Sequence, residues 1–327
     1  MNGIKSFEVH SDDDGQRLDR WLKKHMDRVP YALLQKMVRT GQVRVDGKRA
    51  KTDTRVMAGQ VVRVPPVETK PVNLTFVPQD DDEEFLKSIT IYDDGEILVL
   101  NKPYGLPVQG GPNIRRHIDG MLGKLINLKG VRPRLVHRLD RDTSGLLVCA
   151  RSLKMTQSLG KLFEERDIQK IYWALVSPAP KKQAGEVNAA LIKGEGKRKE
   201  AMVIDDVNGK HSRTAYRILE KSDKGAASMA FWPRTGRMHQ IRVHTADGLG
   251  CPIIGDEKYD GMTPLIDEMN ISGRLHLHAA RLRFPHPKDG KILNLVAPLP
   301  DELLQSWKAF GFTPDYEFEP FGEGNRK

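Results

Sequence analysis

The 327-residue chain has only two cysteines, Cys149 and Cys251, both in apolar or Gly/Pro surroundings. So small a count excludes a disulfide-built scaffold and a Cys-rich structural zinc site, and two buried thiols suit a reducing cytoplasm. Long apolar runs are missing as well, since nothing approaches the ~20 residues that a membrane helix requires. Met1 to Asp14 is polar and acidic and lacks the apolar centre of a secretory leader, which again points to the cytoplasm. No internal repeat, low-complexity tract or Gly-rich nucleotide loop occurs. A chain of this length can bury a sizeable core, and two domains are expected.

What the chain does have is positive charge, a formal net of +10 with a pI near 9.4. That balance favours a polyanionic partner, and its distribution favours it more strongly. Residues 15–64 hold thirteen Lys/Arg against four Asp, a local net of +9. Leu18, Trp21, Leu22 and His25 recur at helical spacing, with Arg17, Arg20 and Lys24 on the opposite face. Pro30 opens a second helix with Leu33, Leu34, Met37 and Val38 inward and Lys36 and Arg39 outward, and Gly41 closes it. Arg44, Lys48 and Arg49 then flank an Asp46-Gly47 turn, and Val61 to Val64 reads as a closing strand. A solvated surface would explain the charge alone. Its recurrence on helix faces and one loop favours nucleic-acid phosphates.

Prolines at 65, 66, 71 and 78 mark a stiff connection, and residues 79–85, with an Asp/Glu run at 80–84, read as a solvated acidic linker. A second domain is expected over residues 86–315, followed by a tail over 316–327. Ile89–Tyr92 and Ile97–Leu100 around Asp93-Asp94-Gly95 read as a hairpin, and Gln109 to Arg116 as a mobile basic loop. Leu146 to Ala150 reads as a buried strand, and Met155, Leu159, Leu162 and Phe163 as one face of a helix. Strands are expected at Ile171–Val176, Arg213–Leu219, Ser228–Trp232 and Leu275–Phe284, with a final helix at Asp301–Phe310. Strands without regular strand–helix alternation predict an α+β fold with a mixed, largely antiparallel sheet.

The chain is organised around His137-Arg138-Leu139-Asp140-Arg141-Asp142-Thr143-Ser144-Gly145, a charged loop ahead of that buried strand. This stretch resembles the signature loop of the pseudouridine synthases of the RluA/RluC/RluD family. Three further stretches match the family in its order: Asn101 to Val108 (N-K-P-x-G-x-x-V), Lys170-Ile171-Tyr172 (K-x-Y) and Thr235 to His244 (T-G-R-x-H-Q-I-R-x-H). Residues 15–78 resemble the S4 RNA-binding domain through GQRLDRWL, VPYALLQKMVRTGQVRVDGKR and AGQVVRV.

The resemblance implies a mixed-sheet catalytic domain with a central cleft and Asp140 as its nucleophile. It implies that Arg242 pairs with Asp140, and that Tyr172 stacks on the target uracil and helps remove its C5 proton. Arg138 would enter the space left by the extruded base. Arg17, Arg20, Lys36, Arg39, Arg44, Lys48 and Arg49 would contact RNA. Moving the ribose from N1 to C5 of uracil is redox-neutral, so neither a cofactor nor a metal is expected. Asp142 to Gly145 read as the turn that shapes the loop. The S4-like segment and several motif details lean towards the RluC branch, hence large-subunit (23S) rRNA as partner, with tRNA as the alternative and a monomer as the expected assembly.

Two other functions compete. A glycosidase using Asp140 and Asp142 also breaks a C1′ bond, but has no use for a basic RNA-binding module. A non-catalytic RNA-binding ribosome-assembly factor would explain that module and leave Asp140, Tyr172 and Arg242 idle. Singly, Asp140 could be a cap, Tyr172 strand packing and Arg242 a surface cation, but their motifs occur together. His137, His239, His244, His276 and His278 suggest a metal, yet no acidic partner stands at ligand spacing and Arg274 and Arg281 crowd the region.

Overall fold

The structure is a computed structural model that describes residues 5–26, 29, 31–66, 79–111, 114–126, 131–165, 168–195 and 201–322. The chain divides into two compact units, Met1–Thr75 and Phe76–Lys327. Among the described residues, no helix is long and apolar enough to cross a membrane.

The first unit runs β1 (Lys5–Glu8), α1 (Leu18–His25), α2 (Tyr31–Arg39), β2 (Arg44–Val45), β3 (Lys48–Arg49) and β4 (Val61–Val64). The two helices form where the apolar spacing predicts them. Leu18, Trp21, Leu22, Leu34, Met37 and Val38 pack on Val43, Val56, Val62 and Val64 in one buried cluster. The four strands make one sheet in the order β1-β4-β2-β3. β1 lies ahead of the expected start at residue 15 and pairs antiparallel with β4. Only Phe7 and Val9 offer it apolar anchors, too short a pattern to stand out between polar residues.

The second unit begins earlier than expected. Asp82–Ser88, whose first four residues fall in the expected acidic linker, is helix α3. Its acidic first turn suits the positive end of a helix, and Leu86 is fully buried. Asp82 itself is buried and accepts two hydrogen bonds from Arg116, at 3.2 and 3.0 Å. Arg116, placed above in a mobile loop, also stacks over Phe85.

Then follow β5 (Thr90–Asp93), β6 (Ile97–Lys102), α4 (Ile118–Met121), β7 (Arg134–Leu135), β8 (Ser144–Ala150), α5 (Leu153–Glu165) and β9 (Gln169–Val176). β10 (Ala184–Asn188), β11 (Leu191–Lys193), β12 (Met202–Ile204), β13 (Arg213–Lys221), β14 (Ala227–Pro233) and α6 (Gln240–Val243) come next. The unit ends with α7 (Leu265–Glu268), β15 (Leu277–Pro285), β16 (Ile292–Val296) and α8 (Asp301–Ala309).

A ten-stranded sheet carries the order β10-β13-β14-β9-β15-β8-β6-β5, with β16 paired to β15 and β7 to β8. Only the β15–β8 pair is parallel among these, so the sheet is mixed and largely antiparallel. The parallel contact sits beside the Asp140 loop, at His278↔Ser144 and Ala279↔Gly145. Gly145 is therefore part of a strand, not only of a turn. Its φ is +110°, and a Cβ there would lie 2.3 Å from the Ala279 carbonyl oxygen. Residues 316–322 do not trail away, because Tyr316 and Phe321 pack into the cluster of Trp173, Trp232 and Trp307. The remaining residues of the expected tail, 323–327, lie outside the described residues.

Candidate active site

Asp140 stands on a loop pinned at both ends. Upstream, the Val148 amide donates to His137 Nε2 at 2.9 Å and the ring stacks on Phe163. Burial pushes His137 down to about 3, so it is a neutral acceptor. Downstream, Arg274 donates to Ser144 Oγ at 3.2 Å, and Ser144 meets His278 Nδ1 at 2.9 Å. Leu139 anchors the middle as a buried side chain.

Lys102 of the Asn-Lys-Pro motif adds a third tie. It is wholly buried, and its Nζ donates to the carbonyls of Pro103, Leu106 and Arg141 at 2.8, 3.0 and 2.9 Å. Burial pushes the amine down to about 7, while Asp142 and Asp140 pull it up. Three carbonyl acceptors match the three N–H bonds of the ammonium, so the cage is built for the charged form. The Asp140 side chain keeps 23% of its exposure.

The loop opens into a cleft of about 590 Å³ lined by Arg138, Asp140, Tyr172, Arg234, His239 and Arg242 among others. Tyr172 comes from β9 and is half-buried. Burial first, then the Asp140 charge, raise the Tyr172 phenol and keep its proton on. That state suits a stacking surface better than a base.

α6 presents Arg242. The turn before it is locked by Gln240, whose carbonyl oxygen accepts from Thr235 Oγ1 and the Arg237 amide at 2.7 and 3.0 Å. Its amide group donates to Arg213 O and Thr214 Oγ1, both at 2.9 Å. Every hydrogen-bonding site of Gln240 is filled.

The partner of Arg242 differs from expectation. Its guanidinium holds Asp256 through two 2.7 Å hydrogen bonds, with both side chains buried, and Asp140 is not its ion-pair partner. Burial works against the Arg242 charge, but Asp256 and then Asp140 outweigh it. Asp256 is supplied by a loop whose tight return brings Gly255 against the Arg274 carbonyl, 2.0 Å from where a Cβ would stand. Arg242 thus faces Asp140 across the cleft as a fixed charge. Among the described residues, the nearest cation-forming group to Asp140 is His239, with Nε2 at 3.8 Å from Oδ2.

Positive side chains rim the opening. Arg138 is exposed and has no ion-pair partner among the described residues. Arg234 lies over the Trp232 ring at 3.1 Å from its centre, again without an ion-pair partner there. The other histidines are held by protein groups: His244 by Ser212 and Thr214, His276 by Ile254 and Ser306, His278 by Ser144 and Ala297. Among the described residues, no group of three or more His, Cys, Asp or Glu is placed to hold a metal ion.

In the first unit, Arg17, Arg20, Lys36, Arg39, Arg44, Lys48 and Arg49 are all exposed. Arg17 is bound to Asp19 at 3.1 and 2.9 Å, so its charge is partly engaged. The strand register adds Arg63, which no motif flagged. Arg44 opposes Arg49 on one side and Arg63 on the other, which puts three arginines in a row on the exposed sheet face. Like charges directly opposite destabilise a sheet unless an anion meets them.

Three comparisons bear on this cleft. A family profile described as RNA pseudouridylate synthase matches residues 96–247, which span Asp140, Tyr172 and Arg242. The ribosomal large subunit pseudouridine synthase C of Vibrio vulnificus is 36% identical over 93% of this chain and 96% of its own. The chain belongs to the RNA pseudouridylate synthase family.

The synthase C of Vibrio cholerae is 37% identical over 94% of this chain and 98% of its own. A solved structure, human RNA pseudouridylate synthase domain containing 4, is 30% identical and aligns with a TM-score of 0.60 over 71% of this chain and 97% of that one. As a pseudouridylate synthase the protein is an isomerase acting on RNA. Asp256 and Arg63 escaped the sequence reading. Each acts through a tertiary neighbour, and no spacing within the chain could announce it.

Proposed function

We propose that the protein converts uridines of large-subunit ribosomal RNA to pseudouridine, with Asp140 as the nucleophile. One observation carries the reading: a partly exposed carboxylate stands in a 590 Å³ cleft beside Tyr172 and the fixed cation Arg242. The relatives named for the large ribosomal subunit, matched over more than nine-tenths of both chains, support the substrate.

The reaction breaks the N1–C1′ bond, joins C1′ to C5, moves the C5 proton to solvent and returns a proton to N1. Nothing is oxidised. Asp140 acts on a nucleotide taken out of its stack, either at C1′ or on the base, and Tyr172 provides the surface on which the uracil lies. Arg242 faces the carboxylate across the cleft and is held there by its two hydrogen bonds to Asp256. Arg138, exposed at the rim, fills the gap left by the base. The first unit is read as an S4-like RNA-binding module whose exposed Lys36, Arg39, Arg44, Lys48, Arg49 and Arg63 meet phosphates.

The test is direct. Unmodified 23S rRNA and a tRNA pool, both transcribed in vitro, are incubated with the purified protein without cofactor, and pseudouridine is mapped. Conversion of defined 23S uridines is expected. Conversion of tRNA alone would move the substrate, and RNA binding without any pseudouridine would overturn the reading.

A further inference from the structure

His239 carries three features that the reaction so far leaves unused. It is a non-glycine residue in the left-handed region, φ 52° and ψ 19°, immediately before α6. Such a conformation is strained for a residue with a side chain and gathers at functional sites. Its Nδ1 lies 2.8 Å from the Tyr259 hydroxyl, and its Nε2 lies 3.8 Å from Asp140 Oδ2.

The tautomer of the ring follows from the neighbours of Tyr259. Its oxygen accepts from the Met202 amide at 2.8 Å. Burial pushes the phenol up to about 12, so its proton stays on. The acceptor available to that proton among the described residues is His239 Nδ1. Nδ1 therefore accepts, and the ring hydrogen sits on Nε2, towards Asp140. A backbone amide, a tyrosine, a histidine and the nucleophile form one line.

We infer that His239 is a positioning residue for Asp140: its Nε2–H closes on Oδ2 when RNA binds and leaves the other oxygen free to react. The present separation is roughly one ångström longer than a hydrogen bond, and catalytic contacts commonly tighten with substrate in place. A neutral donor orients the carboxylate without cancelling its charge, which a permanent cation would do. The groups facing the ring act in both directions. Burial, Arg242 and Lys258 oppose its protonation, while Asp140 and Asp256 favour it, and the balance lies below the ordinary histidine range. On acidification the ring takes a proton and pairs with Asp140, which quenches the nucleophile.

This inference rests on Asp140 being the nucleophile, and the experiment separates the two claims. Wild type, His239→Gln, His239→Asn and Tyr259→Phe are compared on the in vitro 23S transcript, with single-turnover rates, RNA affinity and thermal melting recorded. Gln places an amide N–H near the Nε2 position, whereas Asn tolerates the left-handed backbone but reaches only towards Tyr259. The expected result is an Asn rate lower by about ten- to a hundredfold, with RNA affinity and melting close to wild type. Gln should recover most of that loss and should also lose the acid limb of the rate profile. Tyr259→Phe, which frees the tautomer, should fall between the two. Equal rates for Asn, Gln and wild type would overturn the role of His239 alone. Equal losses in Asn and Gln, with the wild-type pH profile kept, would overturn it too. A wild type that makes no pseudouridine would fell the functional reading together with this one.

Discussion

Replacing Asp256 by Asn tests what holds Arg242 in place. The two side chains retain only 6% and 0% of their exposure and share two 2.7 Å hydrogen bonds. Removing one member of a buried pair leaves an uncompensated charge and typically costs 3–5 kcal/mol. Asn is isosteric and can still accept one bond, so the lower figure, about 3 kcal/mol, applies. For a unit of this size that corresponds to a drop of about 6–12 °C in melting temperature. Urea unfolding followed by tryptophan fluorescence reads the right part of the chain, because Trp173, Trp232 and Trp307 lie in the second unit and only Trp21 in the first. Adding Arg242→Met should restore part of the loss, since the stranded charge is then gone. A loss under about 1 kcal/mol for the single variant would refute the reasoning, and so would a double variant less stable than the single.

Three other perturbations probe the frame. Gly145→Ala should destabilise the second unit by at least about 3 kcal/mol, visible as insolubility or a lower urea midpoint, because its Cβ would meet the Ala279 backbone at 2.3 Å. Stability should fall with acid. Burial pushes His137 to about 3 and His276 and His278 to about 4. The unfolded chain therefore takes these protons first. Their contribution is complete above pH ~6.5 and shrinks by roughly 1–2 kcal/mol per histidine at pH 5. Urea midpoints measured from pH 7 to pH 5 check this, and a flat series contradicts it. Arg63→Thr should weaken RNA binding and flatten its salt dependence by about one phosphate contact, while leaving stability equal or higher because the row Arg49–Arg44–Arg63 loses a repulsion.

Local patterns were the legible part of this molecule. The apolar spacing of α1 and α2 and the unbroken run of β8 need no tertiary knowledge, and both form where expected. The motifs likewise bring Asp140, Tyr172 and Arg242 to one cleft. What escaped depends on distant partners. Asp82 looks like solvated charge until Arg116, far along the chain, buries it. Gly145 reads as a turn residue until β15 is laid against it. The electrostatic partner of Arg242 was assigned to Asp140, yet a neighbouring loop delivers Asp256 closer. The arginine row of the first unit exists only in the strand register, where Arg63 stands opposite Arg44.

The central claim is that the Asp140 carboxylate performs the chemistry. Asp140→Asn keeps size and shape, and at 23% exposure the change should disturb the fold little. The decisive measurement is pseudouridine mapped at single-nucleotide resolution on a 23S transcript, for wild type and Asp140→Asn at matched RNA occupancy. The account predicts defined sites in the wild type and none in the variant, with RNA affinity unchanged. Pseudouridine at those sites from Asp140→Asn at a comparable rate would contradict it.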